Sequence, residues 1–254
     1  MVNQVLQSIP RKVSLLTIGD EILEGDIQDT NSNHFAKVIS ERGGVIHQCV
    51  QVVDDIAEIV DAMRYLSKGS SAIILTGGLG PTSDDKTRFA ISEYTGKPLY
   101  EDDRAWQHIV ALVTSRHRTV HDSNKQQTLF PEGAELYHNE MGTAYGCYIA
   151  ANDQHLFMLP GPPRENLPMF EGRVLPTLAE HDYFNHRKIY RLLATGFTES
   201  EIAARVDELA KAYPCQTGYR FMSPNVEIKI KTASDEDVDD LIKQIEALIE
   251  SRKK

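Results

Sequence analysis

Between Ile74 and Thr87 the sequence ILTGGLGPTSDDKT joins an apolar run to three glycines, a proline, two adjacent aspartates and a lysine. Gly77, Gly78 and Gly80 permit positive φ and let a ligand approach the backbone closely. Thr82 or Ser83 could cap a following helix, whose first amides and dipole favour an anion. Asp84 and Asp85 would oppose a phosphate there unless a cation intervened. Hard divalent ions are held in that way, by one or two carboxylates together with substrate phosphates. Asp20 and Glu21 follow the apolar run Val13–Ile18, and Asp54 and Asp55 follow Val45–Val53, so two further loops offer the same chemistry. The pattern predicts metal-assisted handling of a phosphate or pyrophosphate. The plainer alternative is that acids in a helix's first turn complement its dipole. The loop is neither a Walker loop, since GxxxxGK[ST] is absent, nor GxGxxG.

Three other clusters have chemical potential. In Asn124-Lys125-Gln126-Gln127 and Asn139-Glu140-Met141-Gly142-Thr143-Ala144, Lys125 could neutralise a phosphate and the amides could read a base or ribose. A polar helix and a surface turn account for the same residues equally well. Pro160-Gly161-Pro162-Pro163-Arg164-Glu165 is a rigid turn from which Arg164 could hold an anion bidentately, or a simple strand-to-helix breaker. His117 and His121 have a metal-binding spacing on a helix, but Arg116 and Arg118 flank them and HExxH is absent, so a solvated face is expected. The serine of Gly196–Glu201 lacks a histidine or elbow glycines nearby, so no nucleophile is expected, and Thr198 reads as a helix cap.

These loops need elements to position them. A chain of 254 residues, 41% hydrophobic and 25% charged, suits one large domain plus a small one with a real core. The net charge of −10 argues against a nucleic-acid or anionic-membrane surface. Cys49, Cys147 and Cys215 lie far apart without CxxC spacing, which reads as reduced thiols in a cytoplasmic protein. The stretch MVNQVLQSIPRK lacks the roughly 7–15-residue apolar core of a leader. No apolar run approaches the ~18 residues of a membrane span.

Strands are expected at Val13–Ile18, Val45–Val53 and Ala72–Leu75. Between them come a helix opening at Thr30–Asn31 and another with Ile56, Ile59, Val60, Met63 and Leu66 on one stripe. This alternation predicts an α/β fold with a parallel, doubly wound sheet whose ligands bind beyond the strands' carboxyl ends. There the three acidic loops would converge. Helices are predicted from about Asp84 to Tyr94, over Glu101–Arg116 and over Arg164–Glu180, kinked near Pro168. Short strands are predicted around Ala134–Tyr137, Gly146–Ala150 and His155–Leu159. After a polar linker, His181–Arg187, the tail reads as a βαββα unit.

Taken in order, TIGDEILEG from Thr17, DTN from Asp29, VDD from Val53, TGGLGPTSDDKT from Thr76, NKQQ from Asn124, NEMGTAYG from Asn139 and LPGPPRE from Leu159 resemble the CinA (competence/damage-inducible) family. The resemblance runs from about Lys12 to Ile249. The larger part also resembles the molybdopterin-binding fold of the MogA and MoeA proteins and gephyrin. It implies a three-layer α/β/α domain over residues 1–182 and a small α+β domain over 183–254. It also implies catalytic or metal-linked acids in the loops matching Asp54 and Asp85. In the family the first domain is linked to metal-dependent ADP-ribose pyrophosphatase activity, giving AMP and ribose 5-phosphate.

The leading expectation is therefore hydrolysis of a nucleoside diphosphate sugar. Asp20, Glu21, Asp84 and Asp85 would hold one or two divalent ions of the magnesium, manganese or cobalt class. Asp54, Asp85 and Lys125 would be catalytic. Thr76, Gly77, Gly78, Gly80, Thr82, Asn124, Asn139, Gly142, Thr143 and Arg164 would hold substrate, with Lys125 and Arg164 offsetting negative charge. The alternative is a pterin-binding protein of molybdenum cofactor metabolism without hydrolytic turnover, and a third reading is a regulatory interaction module. Family members tend to self-associate, so a homodimer is expected. Full-length members add a nicotinamide-mononucleotide deamidase domain, which no segment here is expected to supply. Tyr145 stands where the family usually has proline, and Asn166-Leu167 where methionine is typical; both would reshape the pocket.

Overall fold

A computed structural model describes residues 11–252. The stretch read for a leader lies outside them except for Arg11 and Lys12. The described residues form two compact units, one from residues up to Ser40 and Val45–Tyr183, the other from Glu41–Gly44 and Phe184 onward.

In the first unit, β1 (Lys12–Ile18), β2 (Val45–Val52) and β3 (Ala72–Thr76) are parallel, in the order β2-β1-β3. Between them run α1 (Asp20–Leu23), α2 (Thr30–Glu41) and α3 (Ile56–Leu66). All five residues of β3 are buried, the pattern of a strand covered on both faces. Helix α3 forms because its apolar stripe, Ile59, Val60, Met63 and Leu66, has a core to enter. Each such side chain contributes about 1.5–3 kcal/mol on burial. Asp55 opens the helix by accepting from the Ala57 and Glu58 amides, and its truncation to alanine would cost about 1 kcal/mol.

Further along come α4 (Thr87–Thr95), β4 (Leu99–Glu101), α5 (Asp103–Ser115), a short 3₁₀ turn at Asp122–Thr128, β5 (Leu129–Pro131), β6 (Glu135–Tyr137), β7 (Gly146–Ala151) and β8 (Gln154–Leu159). Strand β8 joins β3 in parallel, and β7 and β6 extend the sheet antiparallel. The result is a mixed α/β fold with a mostly parallel sheet. β4 and β5 pair as a separate two-stranded ribbon, which local patterning does not announce. The segment predicted as one kinked helix is α6 (Pro163–Met169) and α7 (Leu175–Glu180), separated by a widened π turn at Phe170–Val174. The distortion thus lies just after Pro168.

The second unit contains β9 (Arg187–Thr195), α8 (Glu199–Ala210), β10 (Cys215–Met222), β11 (Asn225–Ala233) and α9 (Asp239–Ser251), with the antiparallel order β10-β11-β9. Burial alternates along β11, where Val226, Ile228 and Ile230 meet Ile202 and Val206 of α8 and Leu241 and Ile245 of α9. Thr198 caps α8 by accepting from the Glu201 amide, as its position suggested. All three cysteines are free thiols. Among the described residues, no helix is long and apolar enough to cross a membrane.

Candidate functional site

Strand register brings the motif-bearing loops to one edge for a geometric reason. Ile18 pairs with Val52, Thr17 with Thr76, and Thr76 with Leu159, so four strands end level and their following loops leave together. A cleft of about 610 Å³ lies there. That volume falls within the roughly 300–1,000 Å³ usual for small-molecule sites. Its walls come from Gly19 and Glu21, Asp29 and Asn31, Asp54, the Thr76–Pro81 turn with Asp84 and Asp85, and Pro160–Pro163 with Glu165.

The turn after β3 needs glycine at two positions. Gly77 has φ +100°, and any Cβ there would collide with the Ile18 carbonyl of the neighbouring strand. Gly78 has φ +62°, with the Thr87 hydroxyl where a Cβ would go. The turn then closes on itself. The Gly77 N–H donates to Leu159 O at 3.2 Å. Asp85 accepts from the Gly80 N–H at 2.6 Å, the Thr82 N–H at 2.9 Å and the Thr82 hydroxyl at 2.5 Å. Because Asp85 closes the turn, α4 starts at Thr87 and not at Asp84. The Thr87 hydroxyl donates to Gly77 O at 2.8 Å. Two amides expected to cradle a diphosphate are thus already occupied. Asp84 lines the cleft, its carboxyl held below the usual value chiefly by a bond from Thr82.

Asp20 and Asp54 are locked together by reciprocal bonds, each backbone N–H donating to the other's carboxylate at 3.2 Å. Burial raises the Asp54 carboxyl to about 6, opposed by the Asp20 amide and helped by the charges of Asp20, Glu21 and Asp85. Glu21 and Asp54 line the cleft, while Asp20 does not. Among the described residues, no three His, Cys, Asp or Glu side chains gather closely enough to hold a metal ion. Asp85 is turned toward its own loop and Asp20 is joined to Asp54, so the four-acid donor set expected for a divalent ion does not fit the geometry.

The expected cations are also elsewhere. Lys125 lies 3.8 Å from Asp122 and Arg164 lies 3.8 Å from Glu165 with most of its side chain exposed. Neither lines the cleft, whose described lining contains no lysine, arginine or histidine. Asn124 accepts from the His121 N–H and, with Gly142, Thr143 and Glu165, lines a second cavity of about 590 Å³. Thr143 reaches both cavities. Asn139 is a brace: it donates to Ala144 O and Glu165 Oε2 and accepts from the Met141 and Gly142 amides. Thr76 and Gly77–Gly80 do line the cleft, whereas Thr82 serves the turn.

Sequence reasoning gave no site role to Asp29, Asn31 or Glu165, and it offered the amides of Gln126 and Gln127 only as possible contacts to a base or ribose. Gln127 and Gln126 buttress the glycine turn from below, Gln126 donating to Thr82 O and Asp85 O at 2.9 and 2.8 Å. Gln127 bonds Thr143 Oγ1 at 3.0 Å and lines the cleft. Asp29 accepts from Thr17, Gln51 and the Ser32 amide. Burial works to raise the Asp29 pKa, but these bonds outweigh it and hold the carboxyl below its usual value. Asn31 and Glu165 line the cleft, and the Asn31 Oδ1 is buried without a partner. The only local signals for them were the DTN and PGPPRE motifs themselves. Beneath the turn, Arg88 is buried and donates to Leu79 O at 2.9 Å.

Comparison with known proteins places this geometry in context. A CinA-like protein of Geobacter metallireducens is 36% identical over 89% of this chain and 55% of its own length. A CinA-like protein of Shewanella frigidimarina is 32% identical over 94% of this chain and 57% of its own. The chain thus spans little more than half the length of these curated relatives. The crystal structure of a CinA of unknown function from Thermoplasma acidophilum superimposes with a TM-score of 0.60 at 26% identity, covering 66% of this chain and 98% of that one. The model of a probable molybdopterin binding domain matches residues 14–180.

These findings correct the leading expectation of ADP-ribose pyrophosphate hydrolysis. The matched domain is described by molybdopterin binding and the relatives as CinA-like; neither description carries pyrophosphate hydrolysis. The physical reason lies in the cleft. Among the described residues its lining offers no cation, its acids form no metal-donor set, and the Gly77 and Gly80 amides are engaged, so negative charge developing on a pyrophosphate would meet carboxylates. From the match over most of the larger unit, the chain belongs to the family of probable molybdopterin-binding domains.

Proposed function

We propose that the cleft at the sheet's carboxyl edge binds a small pterin-type molecule. The observation that carries the reading is the lining: apolar Ile22, Ile27, Leu79 and Pro160–Pro163 stand beside the carboxylate residues Asp54 and Glu165 and the side chain of Asn31. A flat heterocycle with a donor-bearing edge needs both, an apolar surface to cover its faces and acceptors at its rim. Family membership supports the same class of ligand. The position of the cleft at the carboxyl ends of parallel strands is where open α/β sheets take their ligands.

The test is a titration of the protein with 6-hydroxymethylpterin, followed by the pterin's own fluorescence and by calorimetry. Saturable one-to-one binding is expected, with a rise in Tm that follows ligand concentration by mass action. Absence of saturable binding up to millimolar pterin would overturn the reading. Ile27 is 56% exposed at the mouth of the cleft. Ile27→Glu should weaken binding without loss of fold, because it adds charge beside the apolar wall and removes no core contact.

A further inference from the structure

We propose that Glu165, seconded by Asn31, is the specificity determinant of this cleft and that it selects ligands with a 2-amino-4-oxopyrimidine edge. The inference rests on the pterin-binding reading and names the residues that would recognise the ring.

Glu165 sits in the first turn of α6, with its side chain 11% exposed and lining the cleft. A carboxylate can accept about four hydrogen bonds. Glu165 receives one within hydrogen-bonding distance, from Asn139 Nδ2 to Oε2 at 2.9 Å. Arg164 Nε is 3.8 Å from Oε1, a charge contact and not a hydrogen bond. Acceptor capacity is left unmatched in a place largely screened from water, where it is costly. The carboxylate is nevertheless firmly held. Asn139 is itself fixed through Ala144 O and the Met141 and Gly142 amides. The α-carbon of Gly142 lies so close to the carboxylate that any side chain there would displace it. Oε1 is therefore a preorganised acceptor.

A separate element supplies the second acceptor. Asn31, on α2, is 9% exposed and lines the same cleft. Its Nδ2 donates to Gly161 O at 2.7 Å, which fixes the amide, and its Oδ1 has no partner. Glu165 is fixed and under-satisfied, and beside it Asn31 keeps a buried, unpartnered Oδ1. Glu165 also borders the second cavity with Arg116, His117, Arg118 and His121, but the described lining of the cleft itself has no Lys, Arg or His and calls for a ligand that brings donors. A 2-amino-4-oxopyrimidine ring does so with adjacent N–H groups at N3 and the 2-amino nitrogen, spaced to meet one carboxylate bidentately. Pterins and guanine share that edge.

The experiment measures Kd for pterin, for lumazine (which has a 2-oxo group in place of the 2-amino group) and for guanosine, with the intact chain. The wild type should prefer pterin over lumazine by at least about tenfold, the size of a lost charge-assisted hydrogen bond. Glu165→Gln should weaken pterin by about tenfold or more and lumazine by less than threefold, collapsing the preference, because an amide can serve the 2-oxo group. Arg164→Ala, which removes a charge contact outside the cleft, should leave both constants within about twofold. Equal weakening of both ligands by Glu165→Gln, or no weakening of pterin, overturns the assignment, the first outcome marking Glu165 as purely structural. Unchanged thermal stability of Glu165→Gln excludes misfolding as the cause. Tight guanosine with no pterin binding retains Glu165 but overturns the pterin reading. Failure of all three to bind the wild type overturns both.

Discussion

The two units bury their strands differently, and the difference explains where function can arise. In β3 of the first unit all five residues are buried, whereas along β11 of the second burial alternates. A strand covered on both faces has little place for charged side chains along its length. They collect where it ends, which is why Asp29, Asp54, Asp85 and Glu165 surround one edge. In the second unit the open face of the antiparallel sheet takes the polar groups, as where Arg191 and Arg220 both approach Glu227 at 3.7 and 3.3 Å. Those charges are spread along a face of the sheet.

The strongest test of the comparison is core truncation. Phe157→Ala in β8 should cost about 3–5 kcal/mol and abolish pterin binding, because Phe157 is fully buried in the sheet that carries the rim. Ile230→Ala in β11 should cost about 2–5 kcal/mol and leave binding intact. The protein's one tryptophan, Trp106, lies in the first unit, so its fluorescence reports that unit while circular dichroism reports both. Denaturant curves should show Ile230→Ala shifting the dichroism more than the fluorescence. Equal shifts would mean the units do not behave separately.

Glycine substitutions sharpen the same contrast within the first unit. Gly78→Ala meets positive φ and the Thr87 hydroxyl together, so it should cost about 1–2 kcal/mol for the backbone and about 1–3 more for the clash. Gly133 has φ +83° with open space around it, so Gly133→Ala should cost only the backbone share, about 1–2 kcal/mol. Thermal melts of the pair would show whether the rim turn is the tighter one; equal costs would refute that. Asp85→Asn replaces one carboxylate oxygen by an amide nitrogen, which takes the acceptor from either the Gly80 N–H or the two Thr82 donors, and should cost about 1–3 kcal/mol at pH 7. A neutral result in urea melts would deny Asp85 its role as closure of the turn.

The smallest effect is a pH dependence. Asp54 has an ordinary pKa of 3.8 that folding raises to about 6, so the native state binds more protons in that interval. Its contribution to stability is fully present below pH 3.8 and is lost as pH rises through about 6. Asp54→Asn should therefore match the wild type at the acid end and be the more stable of the two above pH 6. A variant less stable than wild type at pH 7 would contradict the burial of an uncompensated charge.

Much of the architecture was legible without coordinates. The apolar runs of β1, β2, β3 and β8 and the stripe of α3 are local patterns, and local burial is what they encode. Their alternation pointed to parallel strands and hence to the edge where the acidic loops meet, whereas the strand order came from the structure. The glycines of TGGLG announced a close backbone approach, which the Ile18 carbonyl supplies. The direction in which each loop side chain points was not legible. Asp84 and Asp85 are adjacent and chemically alike, yet Asp85 closes the turn, and with it α4 opens at Thr87. Lys125 was the conspicuous residue of NKQQ, but the glutamines beside it hold the turn.

The amino-acid sequence by itself thus determined the elements, their alternation and the edge at which a ligand site would form, because these follow from the periodicity of burial. Only the tertiary structure decided which polar side chains line the cleft. Glu165 is held by Asn139, 26 positions earlier, and Asn31 by Gly161, 130 positions later. A side chain in a loop takes its direction from its hydrogen-bond partner, and here those partners come from distant parts of the chain.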